Sequence, residues 1–265
     1  MFKLILEFRV IQMRLVLNFI CNSNNQEIEN LGNLKDIRRY FISFIKKAFY
    51  NYDPNIFHFL FNYKRSKPYV FSPYLGKKFS QGKIDKKISL IFSTGDFSLF
   101  SSFWNSLLKL KEKGIDYIQI ENLKFNLDNI RLLKDEKIIS EEVVFKTIGV
   151  SILTDPTKSP KNFKEWYIIP SDFDNNYEKY NQVLKFRTKE RIKSIMGIDK
   201  DVDIEFMEYD EIYETVIPHY DGYVRGFRGV FKLRGDIEVL KFLYDYGFGV
   251  RTGQGFGLLD IVKQK

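Results

Sequence analysis

The chain has 265 residues, with 42 Lys plus Arg against 34 Asp plus Glu, so its formal charge is +8. Apolar residues make up 44%, enough to build a core and too many for a disordered chain. One cysteine, Cys21, excludes an intrachain disulfide and a cysteine-rich zinc site, and two histidines, His58 and His219, exclude a three-histidine zinc centre.

The first twenty residues are apolar but are interrupted by Lys3, Glu7, Arg9, Gln12 and Arg14, which fits neither a signal peptide nor a membrane span, so a cytoplasmic protein is expected. Met13 opens a β-rich run, and residues 1–12 read either as an N-terminal extension or as residues ahead of the true start. A strand is predicted near 13–20, then a polar stretch from Asn22 to Asn33. A helix follows over Leu34–Tyr50, from the stripe Ile37, Phe41, Phe44, Ile45, Ala48 and Phe49. A short helix or turn carries Pro54–Phe61. Strands at Tyr69–Phe71 and Ile88–Phe92, a helix over Phe97–Lys111 and a strand over Tyr117–Leu127 complete a βαββαβ order.

The second half repeats it in pattern, though not in residues. Strands are predicted over Val143–Leu153, Val202–Val216, Tyr223–Leu233 and Phe256–Val262, and helices over Phe173–Ile195 and Asp236–Tyr246. The expected fold is α+β, two tandem ferredoxin-like (RRM-like) domains over residues 1–130 and 140–265, with a glycine-rich loop in the second.

That loop, Gly247-Phe-Gly-Val-Arg-Thr-Gly-Gln-Gly-Phe-Gly257, is neither a P-loop nor a dinucleotide fingerprint: no Lys follows the right glycine, and a helix, not a strand, precedes it. Its glycines free backbone amides to approach an anion, with a ligand-free tight turn as the plain alternative. Just upstream, Arg225, Arg228, Lys232 and Arg234 interleave with Tyr223, Phe227 and Phe231, a mixture that suits stacked bases and phosphates and equally an ordinary strand with a charged face. From Lys64 to Lys87 the sequence holds Lys64, Arg65, Lys67, Lys77, Lys78, Lys83, Lys86 and Lys87 against a single acid, Asp85. Clustering of this kind says more than the net charge, which an AT-rich genome inflates; Ala48 is the only alanine. His58 is the natural acid or base near neutrality or else part of an aromatic cluster, and a structural role is the stronger reading for His219. Asp201, Asp203 and Glu205 alternate along a strand and read as a solvated face rather than a cation site. Cys21 has no basic helper and is not expected to be a nucleophile.

Three segments carry a resemblance. Tyr246–Leu258 is similar to the C-terminal glycine signature of the CRISPR-associated endoribonuclease that cuts repeat RNA into guide RNAs, a member of the RAMP superfamily. Gly222–Leu233 with Gly235-Asp236, and Lys67-Pro-Tyr-Val-Phe-Ser-Pro-Tyr-Leu-Gly76, resemble other parts of that family. The resemblance implies attack of an RNA 2′-hydroxyl on the adjacent phosphate without metal or other cofactor. It implies His58 as general acid or base, Lys67 over the phosphate and Tyr40 as helper. It also implies RNA contacts from Lys64, Lys77, Lys78, Arg225, Arg228 and Arg251 and from Gly249, Gly253 and Gly255. The implied partners are precursor and guide CRISPR repeat RNA and subunits of an effector complex, with a monomer or homodimer and no membrane. The alternatives are a non-catalytic RNA-binding scaffold of the same superfamily and a protein-interaction module whose lysines are genomic bias.

Overall fold

Two separate antiparallel sheets, each with its own core, build the molecule. The structure is a computed structural model and describes residues 13–21, 27–28, 36–77, 79, 83–134, 136–174 and 176–264. Residues 1–12 and Lys78 lie outside them, as does most of the polar stretch after Cys21.

The first half runs β1 (Met13–Cys21), β2 (Glu27–Ile28), α1 (Arg38–Tyr52), α2 (Pro54–Phe61), β3 (Val70–Tyr74), β4 (Ile84–Asp85), β5 (Lys87–Thr94), α3 (Phe97–Glu112), β6 (Tyr117–Ile120) and β7 (Leu123–Leu132). The second runs β8 (Glu142–Ile148), β9 (Leu153–Thr154), α4 (Phe163–Trp166), β10 (Tyr167–Ile168), α5 (Glu178–Met196), β11 (Ile204–His219), β12 (Gly222–Gly235), α6 (Ile237–Tyr246) and β13 (Leu258–Gln264). The main sheets have the orders β3-β5-β1-β7-β6 and β11-β12-β8-β13. In each, the first strand of the half is central and antiparallel to both neighbours: β1 pairs Leu15 with Phe92 and with Leu132, and β8 pairs Phe145 with Phe231 and with Ile261.

Local chemistry sets the boundaries. Asp53 accepts from the amides of Asn55 and Ile56 and Pro54 opens α2, a cap and first-turn proline that restart the chain as a new helix right after α1. Asp96 caps α3 through the amide of Leu99, and Gly197, at φ 72°, closes α5.

The structure corrects two predicted strands. The single strand expected over Tyr117–Leu127 is a hairpin, β6 and β7, that turns at Glu121 with φ 50°. The strand expected over Val143–Leu153 stops at Ile148, because Gly149 at φ 90° turns the chain before β9. The helix expected from Phe173 starts at Glu178, after a 3₁₀ turn over Pro170–Phe173.

One core lies between the first sheet and α1 and α3, where Phe19 meets Phe44 edge-on at 5.1 Å. The second lies under α5 and α6 and holds Phe206 stacked on Phe231 at 5.5 Å. Polar contacts join the halves. Arg14 of β1 is buried, donates to the Tyr244 carbonyl at 2.7 Å and stacks on that ring at 3.7 Å. Among the described residues no helix is long and apolar enough to cross a membrane.

Candidate nucleic-acid interface

A cleft of about 520 Å³ opens between the halves, walled by α1, the turn after α2, α5 and the glycine-rich loop. Its cations are Lys46, Lys64, Arg65, Lys67, Arg187, Arg191 and Arg251, and its acid is Glu190. Glu190 is already taken by Arg187 at 2.7 Å. Lys64, Lys67, Arg191 and Arg251 have no carboxylate partner among the described residues.

The glycine loop is held by its own backbone. The amides of Phe248, Val250, Gln254, Gly255 and Gly257 donate to main-chain carbonyls, two of them to Val150 and Ile152. Gly249 has φ 72°, and a Cβ there would sit 2.0 Å from the Ile152 oxygen. The loop is therefore a tight scaffold rather than a row of free amides. Gly253 meets Lys67 of the first half: a Cβ would lie 2.5 Å from Lys67 Cγ, so the glycine lets the lysine stem pass. Gly255 is buried and its carbonyl accepts from Arg38 Nε at 3.1 Å.

Two buried arginines clamp this loop, one from each half. Arg38 also covers the Phe256 ring at 4.4 Å. Arg191 donates to the carbonyls of Gly247 and Tyr246 and to Thr252 Oγ1. Burial pushes the Arg38 guanidinium down to about 10 and Arg191 down to about 9. Both stay cationic at neutral pH, where an incoming anion would lower their energy. The sequence reading missed them, although both sit on the apolar stripes of α1 and α5 beside Ile42 and Ile192. A charge at a core position of a helix is the signal that was available.

At the tip of the β11–β12 hairpin, Tyr220 is a cleft residue the sequence reading missed, and His219 beside it is buried, in keeping with the structural role expected of it. The His219 side chain is fully buried, with Nε2 2.9 Å from Gln254 Oε1 and Nδ1 3.5 Å from Asp36 Oδ1. Burial holds its pKa below the ordinary 6.5, with Gln254 and Asp36 opposing. Tyr220 donates its amide to Asp36 at 2.9 Å and turns its ring into the cleft.

The predicted site residues divide. Lys64, Lys67, Arg251 and Gly253 line the cleft together. Lys67 Nζ donates to the Tyr63 carbonyl at 3.1 Å, and burial, aided by Arg65 and Lys46, lowers its pKa. Arg251 has φ 59° and lies 5.9 Å from the rings of Trp166 and Tyr167. His58 is exposed on α2; Asn62 Nδ2 lies 2.7 Å from its Nδ1, and its Nε2 has no hydrogen-bond partner among the described residues. Phe61, one turn on, lines the cleft, while His58 does not. Tyr40 projects from the opposite face of α1 to Ile42, since two residues turn a helix by about 200°. There it donates to Glu121 and accepts from Arg39, and burial followed by the Glu121 bond raises its pKa. Lys77 and Arg228 are exposed away from the cleft lining.

Arg225 differs from all of these. It is buried, bidentate to Asp172 at 2.6 and 2.7 Å, and bonded to Glu214 at 2.7 Å. Its charge is used inside the fold. Lys232 and Arg234, on the same strand, pair with Glu208 and Glu205.

The chain is similar to several known proteins. Residues 133–261 match the family model described as CRISPR associated protein Cas6, C-terminal. A Methanocaldococcus jannaschii CRISPR-associated endoribonuclease Cas6 is 26% identical over 85% of this chain and 86% of its own. A Pyrococcus furiosus protein, provisionally named as a CRISPR-associated endoribonuclease-like Cas6, is 28% identical over 64% of this chain and 70% of its own. Among solved structures, that of a Cas6-related gene from Pyrococcus furiosus superposes with a TM-score of 0.75 at 21% identity, covering 96% of this chain and all of that one. A RAMP protein described as binding different RNA substrates superposes equally well, with 20% identity over 95% of this chain and all of its own. The second half of the chain thus resembles the C-terminal part of Cas6, and its mixed α+β fold is that of solved Cas6-related structures.

Proposed function

We propose that the chain is an endoribonuclease that cuts CRISPR repeat transcripts into guide RNAs, holding the scissile phosphate in the cleft between its halves. The observation that carries this reading is the set of cations without carboxylate partners, Lys64, Lys67, Arg191 and Arg251, gathered against the glycine loop. An RNA backbone supplies the missing negative charge. Two tandem ferredoxin-like domains, over residues 1–130 and 140–265, are the architecture proposed, and the strand order of each sheet supports it. The partner is repeat RNA, with effector-complex subunits downstream, in the cytoplasm.

In the proposed reaction the RNA 2′-oxygen loses its proton and attacks the adjacent phosphorus, the bond to the 5′-oxygen breaks, and that oxygen takes a proton. The products are a 2′,3′-cyclic phosphate and a 5′-hydroxyl. Lys67 stabilises the charge on the phosphorane, as its crowding by Arg65 and Lys46 favours an anion beside it. His58 moves the proton. As the imidazolium it gives the proton on Nε2, the nitrogen without a protein partner among the described residues, to the departing 5′-oxygen, while solvent water takes the 2′ proton; Asn62, 2.7 Å from Nδ1, orients the ring. Tyr40 enters only if α1 rotates or the RNA wraps around it. Lys77 and Arg228 are proposed as outlying phosphate contacts.

A second reading, an RNA-binding subunit that does not cut, is favoured by one observation: of the three residues proposed for chemistry, Lys67 alone lines the cleft. Single-turnover cleavage of end-labelled repeat RNA in excess chelator separates the two. The nuclease reading expects cleavage, and expects His58→Ala to slow it by about 100- to 10,000-fold with binding retained. Tight binding by wild type without any cleavage gives the second reading.

A further inference from the structure

We infer that Phe59, Tyr63 and Arg65 form a platform on which unpaired bases of the bound RNA stack, directly beside the cleft that takes the backbone. This rests on the RNA reading above and adds to it a site that recognises the base. Phe59 and Tyr63 are 54% and 66% exposed and so have little part in the core. They flank one guanidinium. The Arg65 carbon lies 3.4 Å from the centre of the Phe59 ring and 5.9 Å from that of Tyr63, and Arg65 is further tied by a bond to the Phe59 carbonyl. Its Nε is buried and without a hydrogen-bond partner among the described residues, so a polar group stands waiting in the patch. Arg65 also lines the cleft, which makes the platform and the cationic wall one continuous surface.

Charge and shape name the occupant. Residues 54–84 contain no Asp or Glu, so the partner is an anion. The platform is made of two rings and a planar guanidinium, so the partner also has flat π faces. Single-stranded RNA has both, phosphate for the lysines and bases for the rings. An acidic peptide or a lipid headgroup would match the charge and leave the rings bare.

The test uses the full chain and two fluorescently labelled probes of equal length, a short oligoadenylate and an abasic ribose-phosphate strand, titrated by anisotropy. Wild type is expected to prefer oligoadenylate by about 5- to 150-fold per stacked base. The double variant Phe59→Ala, Tyr63→Ala should lose that preference, keep its affinity for the abasic strand and melt like wild type. Phe59→Tyr, which keeps the ring, should keep the preference. Lys64→Ala should weaken both probes alike. Equal wild-type affinity for the two probes overturns the platform while leaving the cationic cleft standing, and so does a preference that survives in the double variant. If wild type binds neither strand, the RNA reading falls and the platform with it.

Discussion

The cleft and the β11–β12 sheet both carry basic groups and use them in different ways. On β12 three of the four cations have an acid: Arg225 has Asp172 and Glu214, Lys232 has Glu208, and Arg234 has Glu205, while Arg228 has none among the described residues. In the cleft Arg191 and Arg38 are spent on carbonyls, and Lys64, Lys67 and Arg251 meet no carboxylate among the described residues. The pairing of their cations separates the two regions, because an arginine held bidentate by a carboxylate has little left to offer a phosphate.

The largest effect expected from this contrast is on stability. Arg225→Met leaves Asp172 and Glu214 without their partner and should cost about 2–3 kcal/mol, less than a fully buried pair because both carboxylates keep some water. Denaturant unfolding measures it, and RNA affinity of the folded variant should stay near wild type. An Arg225→Met protein of normal stability that has lost RNA binding would reverse the roles given to the two regions. Next in size, Arg251→Ala with Lys64→Ala should leave the melting temperature nearly unchanged and weaken RNA of any sequence. The slope of log affinity against log salt should become shallower by about 0.7 for each phosphate contact removed. An unchanged slope would take both residues out of the phosphate path.

The smallest effect concerns acid. Burial lowers the His219 pKa in the folded protein, so below pH 6.5 the unfolded chain binds a proton that the native chain resists. Stability then falls as pH falls, by at most about 1.4 kcal/mol per pH unit from this group. Melting curves between pH 7.5 and 5.5 should drop less steeply for His219→Gln than for wild type. Equal slopes would mean that folding leaves the His219 pKa unchanged, and a steeper drop for His219→Gln would mean that Asp36, across 3.5 Å, holds the ring protonated.

Much of the fold was legible because each half alternates strong apolar periods with clear stops. The stripe of α1, the Asp-Pro opening of α2 and the Gly197 stop of α5 all sit where local chemistry puts them. What failed was local and has one cause. The turns at Glu121 and Gly149 interrupt runs that stay apolar on both sides, and their marks, the Glu121-Asn122 pair and a single glycine, are weak against that continuity. At the site, the glycine loop and Lys64–Lys67 could be read as a pair, and Gly253 against Lys67 is where they meet. Arg225 could not be read correctly, since Asp172 and Glu214 are distant in sequence and only the folded sheet brings them to it. His219 was set aside as structural. It is buried, but its partner Gln254 and its neighbour Tyr220 line the cleft, a link that spans two segments the sequence keeps apart.

The clamps on the glycine loop also set when the cleft comes into being as the chain folds. Arg38 reaches the Gly255 carbonyl across 217 positions of chain, and Thr252 donates to the Tyr69 carbonyl across 183. Both partners from the second half lie in residues 252–255, so a chain in which that stretch has not yet docked has half a cleft. The second wall forms only when residues 252–255 reach Arg38 and Tyr69, so the glycine loop is what turns a basic surface into a shaped one.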